Sequence, residues 1–442
     1  MSKTNDTPSG NTNKISSGTS RRSFIKKASV ATIGFHIVPR FVLGNGYVPP
    51  SDKINLGIIG TGKQGNILAK YFLENTHVQI VAGCDVWDTK RAWFKENISK
   101  SYAEIRGNAD FKGVESYLDY RELLDRTDVD GVIITTPDHW HGIQAIDAMN
   151  AGKDVFCEKP LTNTIQEGID MVKAVKENGT VFQTGSMQRS WEIFRKAKDV
   201  VSSGKLGDIM QVQVNVGDPA RNYDLPSQDI PDGVDWNRWC GPAPLTSYHD
   251  SIAPRIVDTY PDWRFFKEFG GGILADWGAH MFDIAQWALD MDHTGPVKYV
   301  PPKDRNARRG LKMYYENGIE MIHHDFGRGW AVRFIGTHGI LDVSRGFLET
   351  MPDTILNPDP EKVTDCGFDD YGNHYQDWIS CMKTRKQPIC DVEIGHRSAT
   401  VCNIANITYE LGELLHWDPV KEEFKNNPEA NRMKKRKNRD YN

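Results

Sequence analysis

Three short stretches carry residue types suited to moving protons and hydrides. The first runs Gly270-Gly271-Gly272-Ile273-Leu274-Ala275-Asp276-Trp277-Gly278-Ala279-His280-Met281-Phe282-Asp283 and reads as a helix opened by three glycines. Asp276 and His280 stand four apart and Asp283 follows His280 by three, so all three are expected on one helix face. A carboxylate and an imidazole at that spacing suit removal of a proton from a substrate hydroxyl, the aspartate holding the imidazole tautomer or binding a neighbouring hydroxyl. The same spacing suits a metal with His323 or His324 as third ligand, or an early Asp that complements the helix dipole. Of these we expect catalysis, with no metal. The second stretch is Cys157-Glu158-Lys159-Pro160. A lysine there can donate a hydrogen bond to a hydroxyl under oxidation, with Glu158 to orient it; read alone, Glu-Lys-Pro is a solvated turn. The third is Thr135-Thr136-Pro137-Asp138-His139-Trp140-His141, where the proline also serves as plain punctuation and the histidines as structural groups.

What places these stretches is Ile54 to Gly65. An apolar strand-like run (Ile54, Leu56, Ile58, Ile59) enters Gly60-x-Gly62-x-x-Gly65, and Ile67, Leu68, Tyr71 and Phe72 then recur at helical spacing. Strand, glycine turn and helix form the setting of a dinucleotide-binding motif, with Lys63 and Gln64 between its last two glycines. Gly60 permits the turn, Gly62 lets backbone approach a pyrophosphate, and Gly65 lets helix pack on strand. A second strand, Val78 to Gly83, leads to Asp85, placed to meet the adenosine ribose hydroxyls and to repel a 2′-phosphate, which predicts NAD rather than NADP. Further signals alternate: strand at Val129–Thr135, helix at His141–Met149, strand at Asp154–Cys157, helix at Thr164–Asn178, strand at Val181–Thr184. That alternation predicts a doubly wound parallel sheet, with the Thr136 and Lys159 stretches at its carboxyl edge, where ligands bind.

Beyond that the period changes. Met210, Val212, Val214 and Val216 alternate with polar residues, and Ile319–Phe326, Trp330–Ile335 and Gly339–Val343 read as further strands. The expected second layer is a mostly antiparallel open sheet, one face on helices and one available to a ligand. Residues 218–268 read as a long irregular insertion rich in Pro, Trp, Asp and Tyr, covering the active site or a subunit contact. Its aromatics (Trp236, Trp239, Tyr248, Tyr260, Trp263) suit pyranose faces or a packed loop core. Tyr371–Lys383 and His396–Leu414 read as helices. The expected domains are a leader at 1–50, a Rossmann domain at 51–185, and a substrate and oligomerisation domain at 186–425 whose helical return (371–415) packs near the first domain. A charged tail follows at 426–442.

Of 442 residues, 39% are hydrophobic and 26% charged, and the net charge of −5 speaks against nucleic acid as a partner. The seven cysteines form no Cys-x-x-Cys pair, and most of them read as small core residues. No apolar run is long enough for a stable membrane span. Residues 1–19 read as disordered, and Ser20-Arg21-Arg22-Ser23-Phe24-Ile25-Lys26-Lys27 resembles a twin-arginine export signal, or a basic arm, ahead of a weak apolar stretch. The basic run Lys435–Arg439 reads as a solvated terminus.

Gly60-x-Gly62-x-x-Gly65, Thr136-Pro137 with His141, Glu158-Lys159-Pro160 and Asp276-x-x-x-His280, in this order across residues 52–420, resemble the Gfo/Idh/MocA oxidoreductases. The resemblance implies an N-terminal Rossmann domain, a C-terminal α/β domain often used for oligomerisation, NAD, and sugar or polyol substrates. It implies Lys159 as the active-site lysine against the nicotinamide, and Asp276 and His280 as the catalytic pair, with His280 the acid/base. Thr136, Pro137, His141 and Glu158 join the glycine motif and Asp85 as cofactor-binding residues. The long insertion departs from the family pattern. Two activities are therefore expected candidates. One is a dehydrogenase using exchangeable NAD. The other is a redox-neutral enzyme with permanently bound NAD, which export of a folded protein to the periplasm would demand. A non-catalytic nucleotide sensor needs none of Lys159, Asp276 and His280.

Overall fold

The computed structural model describes residues 53–106, 113–356 and 371–441. The leader at 1–50, with its Arg21-Arg22 pair, and Cys366 lie outside the described residues.

The first layer is a six-stranded sheet in the order β3-β2-β1-β4-β5-β6, every pairing parallel. Its strands are β1 (Ile54–Ile59), β2 (Val78–Cys84), β3 (Glu115–Tyr117), β4 (Gly131–Ile134), β5 (Asp154–Cys157) and β6 (Phe182–Thr184). Leu56, Ile58, Ile133, Ile134, Val155 and Phe156 are fully buried, because crossover helices cover both faces of a parallel sheet. These helices are α1 (Lys63–Glu74), α2 (Asp88–Arg106), α3 (Tyr120–Leu124), α4 (Asp138–Asn150) and α5 (Ile165–Asn178). Thr164 starts α5 with a reciprocal capping box to Glu167. Strand order reverses between β1 and β4, which opens a crevice at their carboxyl ends.

The second layer has nine strands in the order β13-β12-β11-β7-β10-β9-β8-β14-β15. They are β7 (Ile209–Asn215), β8 (Lys298–Val300), β9 (Lys312–Tyr314), β10 (Glu320–His323), β11 (Ala331–Gly336), β12 (Ile340–Ser344), β13 (Phe347–Met351), β14 (Leu415–Asp418) and β15 (Glu423–Phe424). All pairings are antiparallel except β7 with β10, where Val212 lies opposite Met321. On one face α6 (Glu192–Ser202) and the long α8 (Gly272–Ala288) pack over Val212, Val214, Phe334 and Val343. Met210 shares the phase of Val212 in the sequence but is 54% exposed, because a bulge opposite Ile335 and Gly336 leaves it unpaired and Ile209 packs against the core instead.

The other face is not the ligand face expected from sequence. It carries a polar row, in which Gln213 donates to Gln211, Gln211 to Glu320, and Lys312 and Tyr314 also to Glu320. None of these residues lines the large cavity. Two C-terminal helices tie the layers together. In α9 (Tyr371–Thr384), Trp378 is fully buried against Phe72 and Phe156 of the first layer. The other, α10 (Val392–Leu411), puts Val392 and Ala399 in the core of the first layer and Val401 and Ile404 in that of the second.

Residues 218–268 are not structureless. They contain the short helix α7 (Trp236–Cys240) and a core completed by Trp87 and Phe269, in which Trp236 and Trp239 stack at 4.6 Å and Tyr248, Ile252 and Phe266 are buried. A small domain of aromatics escapes period-based reading because its side chains meet across turns rather than along a helix or strand.

The tail is likewise ordered up to Tyr441, and the solvated charge run expected there holds only in part: Lys435, Lys437 and Asn438 are exposed, whereas Arg436 and Arg439 are bonded. After α11 (Pro428–Met433), Arg436 donates to the carbonyls of Glu268 and His139, and Arg439 to Ala243 and Asn237. Tyr441 meets the edge of Trp140 at 5.1 Å. Basic side chains find order here because unfilled carbonyls at turns and helix ends accept from guanidinium groups. The six described cysteines are buried thiols.

Candidate active site

Gly60 ends β1 with φ +94°, and a side chain there would meet the Thr136 amide at 2.8 Å. At Gly65 a Cβ would stand 2.2 Å from the Gly60 carbonyl, so only glycine lets α1 pack against the strand end. Gly62 differs: a Cβ there would meet nothing within 4 Å. The space over Gly62, at the amino end of α1, is thus open to an anionic ligand. It belongs to a cavity of about 700 Å³, within the range of cofactor and ligand sites. Asp85 follows β2 and lines the same cavity. Its Oδ2 accepts from the Thr61 amide at 2.9 Å and its Oδ1 from the Trp87 amide at 3.0 Å, which fixes the carboxylate at the strand end. The open cradle, the helix terminus and the anchored carboxylate fit a dinucleotide.

The cavity continues across β4 and β5. Lys63 and Gln64 line it; Lys63 pairs with Asp258 at 3.1 Å, and Gln64 donates to Glu158 at 3.0 Å. Glu158 therefore does not orient Lys159, because its carboxylate turns toward the glycine loop. Burial lifts its pKa to about 6 although Lys159 and Gln64 oppose the rise. Thr136 donates its hydroxyl to Gln144 at 2.7 Å, and Pro137 leads into α4. The imidazole of His141 lies 2.9 Å from both the Pro160 and the Thr136 carbonyls, which joins the two edge turns. Burial holds it neutral, with a pKa of about 4, so it donates to one of the two carbonyls at a time. His139 is a structural group beside the Trp239 and Phe269 carbonyls.

Lys159 and the first two turns of α8 meet at this end. Lys159 Nζ lies 2.7 Å from Asp276 Oδ1 and 3.1 Å from the Asp276 carbonyl. Arg264, from the insertion, flanks the other carboxylate oxygen at 3.5 Å. Burial raises the Asp276 carboxyl, but the Lys159 and Arg264 charges outweigh it and leave the group below the usual range. Asp276 thus serves Lys159 and does not hold His280. The partner of His280 Nε2 is Arg345 Nη2, at 3.1 Å, and Nδ1 is buried without a partner. Burial, then Lys159 and Arg345, push the imidazole well below its ordinary pKa. Asp138, at the start of α4, also lines the cavity; burial and the nearby Asp276 charge raise it to about 8.

Asp283 does not join Asp276 and His280. It is fully buried, accepts two hydrogen bonds from Arg189 at 2.9 and 2.8 Å and one from Ser398 at 2.6 Å, and points into the helix-packed core. Seven residues separate Asp276 from Asp283, and by that distance the helix face has passed from cavity to core. Nor does His323 reach the cavity as a metal ligand. Its nitrogens lie 2.8 Å from the Tyr409 hydroxyl and 3.2 Å from the Val216 carbonyl, and His324 is exposed. Sequence reading missed Arg264, Arg345, Trp277 and Trp330. Trp330 stacks on Trp277 at 3.9 Å and both line the cavity. Among the insertion aromatics, Trp236 and Tyr248 belong to its core, Trp239 is buried there with only an edge on the cavity, and Tyr260 and Trp263 face the cavity.

Residues 54–186 match the model of an oxidoreductase family's NAD-binding Rossmann fold, and residues 192–441 that of the same family's C-terminal alpha/beta domain. An uncharacterized oxidoreductase of Streptococcus pneumoniae is 33% identical over 157 residues, 36% of this chain and 38% of its own. A glycosyl hydrolase family 109 protein of Stenotrophomonas maltophilia is 28% identical over 205 residues, 42% of this chain and 43% of its own. The matches thus span less than half the length of these curated relatives. The crystal structure of the WlbA dehydrogenase from Bordetella pertussis, in complex with NADH and UDP-GlcNAcA, shares the fold with a TM-score of 0.58 at 18% identity, covering 83% of this chain and 98% of that one. With both of its domain models matched in order, the chain belongs to the Gfo/Idh/MocA oxidoreductase family and carries that family's NAD-binding Rossmann domain.

Proposed function

We propose that this protein oxidises a hydroxyl of a sugar, glycoside or polyol, with NAD as the immediate hydride acceptor. The observation that carries this reading is one cavity shared by the open cradle at Gly62, the carboxylate of Asp85, and the Lys159–Asp276–His280 cluster. NAD, when bound, supplies the acceptor for the hydride that leaves the carbinol carbon. The chain's residues handle the rest. Lys159, held by Asp276, donates a hydrogen bond to the hydroxyl oxygen, and His280 takes its proton through Nε2, so that alcohol becomes ketone as one hydride and one proton depart. The stacked Trp277 and Trp330 offer an aromatic face to a sugar ring. The Asp85 carboxylate favours NAD over NADP. The test is mass spectrometry of nucleotide released from the purified protein, with a panel of free sugars, glycosides and polyols scanned for NADH absorbance. A protein that holds no nucleotide and reduces none on any panel member would refute the proposal.

A second reading is favoured by how the insertion roofs the cavity. It is tied to the first layer by Lys63–Asp258 and by Arg238, which lies 3.6 Å from Asp119, and to α8 by Arg264. A roof pinned at three sides suits NAD that stays bound and is reduced and reoxidised within one turnover, as in epimerisation, sugar–sugar hydride exchange or glycoside cleavage through a keto intermediate. The glycosyl hydrolase family 109 relative supports that alternative, and so does the twin-arginine pattern at Arg21-Arg22, which we take as a route to the periplasm. We also propose that copies of the chain associate through the open face of the second sheet.

A further inference from the structure

Arg345 sits on the β12–β13 turn, outside every motif that the sequence offers. Its Nε donates to Gln188 at 2.8 Å, and its guanidinium lies over Trp277 at 4.6 Å and Trp191 at 5.2 Å. The remaining contact that matters is Nη2 to His280 Nε2 at 3.1 Å. A guanidinium has donors only and is charged at every working pH. The imidazole nitrogen facing it must therefore present a lone pair, and the ring proton must sit on Nδ1.

We propose that Arg345 is a positioning residue for His280: its guanidinium holds the imidazole in the Nδ1–H tautomer, with the Nε2 lone pair kept for the proton of an incoming hydroxyl. The hydroxyl then replaces Nη2 as the donor to Nε2, which gives Arg345 the role of a placeholder for substrate. The aspartate one turn earlier in the helix does not fix the tautomer: its oxygens face Lys159 and Arg264, and neither nitrogen of His280 bonds to it. The groups facing His280 are cationic on two sides: Lys159 from the turn after β5 and Arg345 from the β12–β13 turn. Asp276 belongs to its own helix. From α10, Cys402 packs against Gly278, and burial keeps that thiol neutral. Both cations oppose protonation of the ring, in line with its depressed pKa.

The first readout requires no turnover, so it stands apart from the hydride-transfer reading on which the role rests. Full-length protein labelled with ¹⁵N-histidine is assigned by the signals lost in His280→Asn, and its ring nitrogens are followed between about pH 5.5 and 8.5, the range in which ordinary histidines titrate. Wild type and Arg345→Lys are expected to show one protonated Nδ1 and one bare Nε2 throughout. Arg345→Gln, and Arg345→Met as a variant that keeps the apolar stem between the tryptophans, should show mixed tautomers or a titration inside the window. An Nε2–H signal in wild type, or spectra of both neutral variants that match wild type, would overturn the proposal. With a substrate in hand, the acidic limb of kcat/KM should move up by about one unit or more in Arg345→Gln and return in Arg345→Lys. A change in KM with an unmoved limb would reduce Arg345 to a binding group.

Discussion

Lys159 and Asp276 stand 117 residues apart in the chain, yet Nζ and Oδ1 meet at 2.7 Å across the boundary between the two layers. The contact joins the turn after β5 to the second turn of α8, and it fixes an ammonium in the wall of the cofactor cavity. Asp276→Asn keeps the shape and removes the charge, so Lys159 loses its anchor. We expect turnover to fall by about two to four orders of magnitude, the range for a lost acid–base or positioning group. Each side chain keeps 16% exposure, so the stability loss belongs between the about 0–1 kcal/mol of surface pairs and the about 3–5 kcal/mol of buried ones. Steady-state rates and a melting curve measured together decide this. Unchanged kcat would mean that the lysine works without its aspartate.

Asp283 makes the opposite prediction. Its carboxylate and Arg189 are each 1% exposed, and Arg189 also pairs with Asp292 at 2.7 Å. Asp283→Asn leaves a buried guanidinium with half of its partners, which costs about 3–5 kcal/mol when one member of such a pair is removed. Denaturant midpoints should drop accordingly, while nucleotide affinity of the folded fraction stays unchanged. A variant of normal stability with lost activity would return Asp283 to the active site.

The contrast between these two aspartates shows what sequence can carry. The parallel sheet was legible because β1, β4 and β5 are near-continuous apolar runs, buried on both faces. The glycine motif was legible because Gly60 and Gly65 answer backbone constraints and Gly62 leaves the cradle open. Helical spacing placed Asp276, His280 and Asp283 on one face, but a helix at a domain boundary presents that face to a cavity at one end and to a core at the other. Arg345 and Arg264 were invisible, since each reaches the site from a turn whose position depends on tertiary packing. The half-exposed β3, Glu115–Tyr117, has no apolar alternation to read. The tail misled for a simple reason: five basic or polar residues in a row look solvated until the carbonyls that receive Arg436 and Arg439 are known.

Stability should also respond to pH through Asp138. Burial and Asp276 raise its pKa from 3.8 to about 8 in the folded protein. Between those values the folded state binds the proton that the unfolded chain has released, so stability falls as pH rises. The contribution is fully present below about pH 4 and gone above about pH 8. Glu158, raised to about 6, acts in the same sense over the lower part of that window. Asp138→Asn is therefore expected to flatten the decline of melting temperature between about pH 5 and 8. Parallel curves for the variant and wild type would show that Asp138 is ionised in the folded state at neutral pH.

The ordered tail offers a last test, aimed at cofactor retention. Arg439 donates to Asn237 at 2.6 and 2.7 Å and Arg436 to the His139 carbonyl at 2.8 Å, so the tail clips α7 of the insertion to α4 of the Rossmann domain. Tyr441, packed on Trp140, forms part of the cavity wall together with Arg121 and Arg238. Hydrogen bonds from a charged donor contribute about 1.5–3 kcal/mol each, and only part of that need act on the roof. A chain ending at Met433, or the Arg436→Ala/Arg439→Ala pair, should release bound nucleotide about tenfold faster or more, a change worth about 1.4 kcal/mol. Dissociation followed by the fluorescence of NADH under competition with excess NAD gives the rate directly. If the insertion opens independently of its clip, release will keep its wild-type rate and only the melting temperature will fall.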